Sequence, residues 1–106
     1  MAKYLIEASY TVEGAKGVMK AGGSARRAAA EELLKSVGGR VEAFYFAFGK
    51  VDAYVLTDVP DAASAVALSM AVNTSGMVVS RMIPLITTEE VDMAAKKSVT
   101  YRAPGK

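Results

Sequence analysis

Two stretches of this chain bring together residue types that could do chemistry. The first is Gly22-Gly23-Ser24-Ala25-Arg26-Arg27, where flexible backbone meets a helix amino terminus beside two guanidiniums. That arrangement suits a phosphate or a carboxylate, which makes Gly23, Ser24, Arg26 and Arg27 ligand-binding candidates. The alternative is a hinge, an N-cap and two surface arginines. It is not a P-loop, because the lysine and hydroxyl of that motif do not follow. The second stretch centres on Asp52, a carboxylate out of place by propensity in a strand-like run, with Tyr54 two residues on and on the same face. Asp52 could orient or deprotonate a ligand held near Tyr54 and an aromatic from Phe44 to Phe48, with Glu7 or Arg81 as the complementary group. Asp52, Tyr54 and Glu7 are therefore the catalytic candidates, and Arg81 joins the binding set. The alternative is that Asp52 caps the turn, or pairs with Arg81 or with a lysine of a neighbouring subunit, since interface ion pairs perturb carboxylates as active sites do.

Composition narrows the chemistry further. The 106 residues contain no cysteine and no histidine. The first absence removes disulfides, thiolate nucleophiles, iron–sulfur clusters and the usual structural zinc sites, and it fits a reducing, cytoplasmic setting. The second removes the commonest general base and the usual haem ligand. No cofactor is expected. No metal is expected either: the methionines fall on apolar positions and read as core filler, and Glu89, Glu90 and Asp92 suit a helix start better than a cation. Thirteen basic and 11 acidic side chains leave a net charge of +2 with no long like-charge block, so nucleic acid is not an expected partner. The aromatic-bearing sheet invites comparison with RNA-binding domains, but Phe48 to Tyr54 lacks their basic-glycine-aromatic pattern. No apolar run approaches the roughly 20 residues that span a bilayer, and the amino terminus enters a strand-like pattern directly, so neither membrane nor targeting segment is expected.

The elements that must position these residues follow from periodicity. Residues 3–10 alternate, with Tyr4, Ile6, Ala8 and Tyr10 on one face of a strand. Thr11 caps a short helix to Lys20 that Gly14 and Gly17 weaken. After Gly22-Gly23, Ser24 is the expected N-cap of a helix over 25–37 whose apolar stripe is Ala30, Leu33, Leu34 and Val37, with Arg27, Glu31 and Lys35 outward and Gly38-Gly39 as its stop. Residues 40–48 and 51–58 read as a hairpin around a two-residue Gly49-Lys50 turn. Val59-Pro60-Asp61 opens a helix to about Thr74, with Ala63, Val66, Ala67, Met70 and Ala71 as its buried stripe. Met77 to Ile86 is the fourth strand, and Thr87 with Glu90 has capping-box spacing at the start of a last short helix. The order β-α-β-β-α-β plus a terminal helix predicts a ferredoxin-like α+β domain over 1–100, antiparallel sheet with helices on one face, and a flexible tail over 101–106.

A lone sheet with helices on one side should be polar on the other. Here 52% of the residues are apolar, and the strands over 40–48 and 77–86 are apolar on both faces, so a homodimer or higher oligomer is expected, with another copy of the sheet as cover. The alternative cover is the terminal helix and tail of the same chain.

Ala8-Ser9-Tyr10-Thr11, Gly22 to Arg27, Phe44-Tyr45-Phe46-Ala47-Phe48-Gly49, Pro84-Leu85, Glu89-Glu90 and Lys96-Lys97-Ser98 together resemble a bacterial GYD-domain protein, nearly end to end. Gly49 and Asp52 stand at the glycine and aspartate that name the family, whereas Val51 occupies its tyrosine position. The resemblance implies a ferredoxin-like domain akin to dimeric α/β-barrel proteins and carries no activity with it. Three functions remain open at this level. The chain is a homo-oligomeric module that binds a small anionic or aromatic molecule or regulates through it. Alternatively it is a cofactor-independent enzyme acting on a small aromatic or carbonyl compound, with Asp52 or Glu7 as base and Tyr54 as donor, or else a structural subunit of a ring or cage.

Overall fold

A computed structural model describes residues 1–47 and 49–106, so the expected aromatic at Phe48 lies outside the described residues. The elements are β1 (Ala2–Tyr10), α1 (Val12–Ala21), α2 (Gly23–Lys35), β2 (Arg40–Phe46), β3 (Ala53–Val59), α3 (Ala62–Asn73), β4 (Val78–Leu85) and α4 (Thr88–Ala95). The strands form one antiparallel sheet in the order β2-β3-β1-β4, the ferredoxin-like arrangement. Alternation decides which side of the sheet is covered. Tyr4, Ile6, Ala8 and Tyr10 of β1, expected on one face, turn that face to the helices together with the buried Ala53, Val55, Thr57 and Val59 of β3. Against them pack Leu34 of α2 and Leu68 of α3, buried side chains whose removal from water supplies about 1.5–3 kcal/mol each.

Four local features differ from expectation, each for an identifiable reason. Ser24 is not the N-cap of α2: Gly22, at φ 88°, takes that position without a side-chain cap, and the helix begins two residues earlier than expected. Only glycine adopts that left-handed turn at little cost, and it lets α1 and α2 follow one another with a single residue between. The stripe expected for α3 is on the wrong side, since Ala65 and Leu68 are buried while Val66 and Met70 stand 55% and 59% exposed. The sequence AASAVALSMAVN is apolar on nearly every side, so periodicity alone selects no face. In β2 a bulge between Val41 and Ala43 shifts the register, which turns Val41 inward with Phe44 and Phe46 and leaves Ala43 and Tyr45 outward. Lastly, the β2–β3 connection is longer than a two-residue turn. Asp52 stands outside β3, its N–H donating to the Ala8 carbonyl (2.9 Å) and its carbonyl accepting from Ala47 N–H (2.7 Å).

Helix α1 is held in place by its first turn. The Thr11 hydroxyl accepts from Gly14 N–H and donates to the Gly76 carbonyl, while Thr11 N–H reaches the Met77 carbonyl at 3.0 Å. At the other end of the molecule Thr87 and Glu90 form both bonds of a capping box, starting α4. No residue of α4 is buried. Among the described residues, no helix is long and apolar enough to cross a membrane.

Candidate functional site

The fold sorts the sequence's candidate residues into two groups on opposite sides of the sheet. The first lies on the uncovered face. Register places Glu7 of β1 between Tyr54 of β3 and Arg81 of β4, and Tyr54 opposite Tyr45 of β2, so the row Tyr45, Tyr54, Glu7, Arg81 crosses the whole sheet. Beside it runs the apolar row Ala43, Leu56, Leu5, Ile83. Glu7, Tyr54 and Arg81 are thus brought together on the face turned away from the helices.

The second group lies between sheet and helices. A cleft of about 570 Å³ opens beneath α1, lined by Tyr10, Val18, Met19, Gly23, Phe46 and Asp52. Gly23 approaches Phe46 closely there: a Cβ would stand 3.0 Å from the ring, which would have to shift by a few tenths of an ångström to admit it. A second, inner space of about 250 Å³ lies between α2, α3 and the sheet, walled by Ala29, Ala30, Phe44, Val72 and neighbouring core residues. Tyr10 borders both spaces, and Arg26 borders the inner one. On the β2 side Phe46 lines the cleft and Phe44 the inner space, their rings tilted 60° to each other with centroids 5.1 Å apart.

Asp52 and Tyr54, expected on one face, are separated. The Asp52 carboxylate accepts the Tyr10 N–H at 2.8 Å, closing the open end of β1, whereas Tyr54 points away from the helices. In the Gly22–Arg27 stretch, Ser24 and Arg27 are exposed and Arg27 pairs with Glu31 at 3.3 Å. Arg26 alone turns inward. Its Nε is cut off from solvent and has no hydrogen-bond partner. Among the described residues, no group of three or more acidic side chains comes together to hold a metal ion.

Sequence reasoning missed the charge cluster at the other end of the uncovered face. Asp58, 7% exposed, lies between Lys3 Nζ at 3.0 Å and Arg40 at 2.9 Å, and Lys3 also bonds Glu42. The Lys3 hydrogen bond holds the Asp58 carboxyl below its ordinary range, outweighing the upward push of burial, and Arg40 adds to it. Lys3 is raised in turn, chiefly by Glu42 and then by Asp58. The available signal was an acidic residue in the apolar run Ala53–Val59, opposite Lys3 once the antiparallel register is drawn.

Strand order and layers define a ferredoxin-like α+β domain, here with an apolar hollow between its layers. The sequence matches the GYD domain family over residues 4–95, and the chain belongs to that family. No curated protein and no solved structure matches it.

Proposed function

We propose that the protein is a homo-oligomeric module that binds a small molecule between its sheet and its helices. The observation that carries this reading is the apolar hollow under α1 and α2, large enough for a small organic ligand and bordered by few polar groups, the usual make-up of a ligand pocket. Oligomerisation is supported by the uncovered face, where Val79, Ile83 and Leu85 of β4 remain 62%, 37% and 37% exposed in the single chain. A two-fold pairing of sheets would bury them, together with Glu7 and Arg81, cross-strand neighbours of unlike charge that lack an ion-pair partner among the described residues of one chain. The engagement of Asp52 with Tyr10 N–H speaks for binding over catalysis, since that carboxylate serves the backbone.

Native mass spectrometry of the protein purified gently from its own host tests both parts. A dimer or small oligomer carrying a reproducible extra mass is the expected result. A monomer would overturn the interface, and a large ligand-free assembly would favour a structural subunit instead.

A further inference from the structure

Arg26 sits in the first turns of α2 with its side chain directed inward, where it borders the inner space together with Ala29, Phe44 and Val72 and also the opening beside Tyr10, Glu13 and Val18. A guanidinium cannot shed its proton, so a donor nitrogen withheld from water without an acceptor leaves an unmet cost in the fold. The nearby acids do not meet it. Glu13 is engaged by Lys16 at 3.5 Å, Asp52 by Tyr10 N–H, and among the described residues no carboxylate stands within ion-pair distance of Arg26. One cation at the mouth of an apolar space matches one negative charge. A doubly charged phosphate would bring a second charge with no partner, past Glu13 at the same opening. A carboxylate, by contrast, takes two parallel N–H bonds from a guanidinium. The far end of the space asks for nothing polar, because the Ser80 hydroxyl already donates to Asn73 at 3.2 Å and Ser80 N–H to the same oxygen at 2.6 Å.

Resting on the binding reading above, we propose that the ligand is a monocarboxylate with a compact apolar body, held by Arg26 at the mouth of the inner space with its ring or branched chain among Ala29, Phe44 and Val72.

The test uses the full chain with benzoate and 3-methylbutanoate as probes, their neutral amides and inorganic phosphate as comparisons, and the Arg26 Nε–H resonance as the readout. Both carboxylates should move that resonance saturably and the amides should not; followed through the backbone N–H resonances of Phe44 and Val72, which every variant retains, Arg26→Gln should weaken carboxylate binding by about tenfold or more while Arg27→Gln leaves it unchanged. Ala29→Phe fills the inner space while keeping the charge, and should abolish binding; it also serves if Arg26→Gln fails to fold. Amides binding as well as acids, phosphate binding more tightly than either, or undiminished binding to Ala29→Phe would overturn the ligand assignment while leaving a small-molecule cleft in place. If no probe moves the resonance of any residue lining the cleft, both the assignment and the binding reading fall.

Discussion

Two acidic residues in the same part of the sequence have opposite fates, and the difference is made by a single position of register. Asp52 falls one residue short of β3 and spends its carboxylate on the exposed N–H of Tyr10. Asp58 falls inside β3, opposite Lys3 and Arg40, and is buried between them. Because the folded carboxyl of Asp58 is held below its ordinary value of 3.8, its contribution is complete above that value and is lost as pH falls through the lower folded one. Asp58→Asn should therefore lower stability at pH 7 by about 1–2 kcal/mol, with the gap to the parent closing in acid. Urea unfolding of both proteins at pH 7 and pH 3 checks this; an equal gap at the two pH values would show that the charge is not the cause. Neither role was legible from residue type, since each depends on which backbone groups the neighbouring strand presents.

At the scale of elements, α1 shows what propensity can and cannot say. Both of its inner glycines weaken an isolated helix alike, and the sequence treats them as equals. The fold does not. A Cβ on Gly14 would run into the Met77 carbonyl, because the helix crosses the start of β4 at that point, whereas a Cβ on Gly17 meets nothing within 4 Å. Gly17→Ala should stabilise the protein by about 0.5–1 kcal/mol, while Gly14→Ala should destabilise it and displace α1 from the cleft. Thermal unfolding of the two variants side by side separates the cases, and equal shifts would mean that α1 is not seated on β4 as described. Strand β1, helix α2 and the α4 capping box were legible because strict alternation, one apolar stripe and a two-residue signature each identify one answer. The face of α3 was not, because a helix apolar on nearly every side is oriented by the sheet it lands on.

The whole molecule is extended for its length. Its radius of gyration is 16.8 Å, against roughly 13 Å for a compact domain of this size, and α4 has no buried residue. The terminal helix therefore does not cover the uncovered face of its own sheet, the alternative that composition left open. An eight-residue helix standing in water is marginal without packing, so α4 and the apolar row through Leu5 and Ile83 both have surface to share with another copy. Ile83→Lys places a charge in the middle of that face without touching the core between sheet and helices. Sedimentation velocity should show the parent as a dimer or larger and the variant shifted to monomer with its secondary structure retained; a parent that is monomeric at every concentration would end the sheet-pairing proposal.

Local pattern by itself determined the order and kind of nearly every element, the common face of Tyr4, Ile6, Ala8 and Tyr10 in β1 and the outward row Arg27, Glu31, Lys35, because each of these is written in spacing along one element. Tertiary structure alone decided that Arg26 turns in while Arg27 turns out, that Asp52 and Tyr54 part company, and that Asp58 rather than Asp52 is the buried acid. Those outcomes depend on the bulge in β2, on the left-handed turn at Gly22 and on cross-strand register, which are set by contacts between residues far apart in the chain.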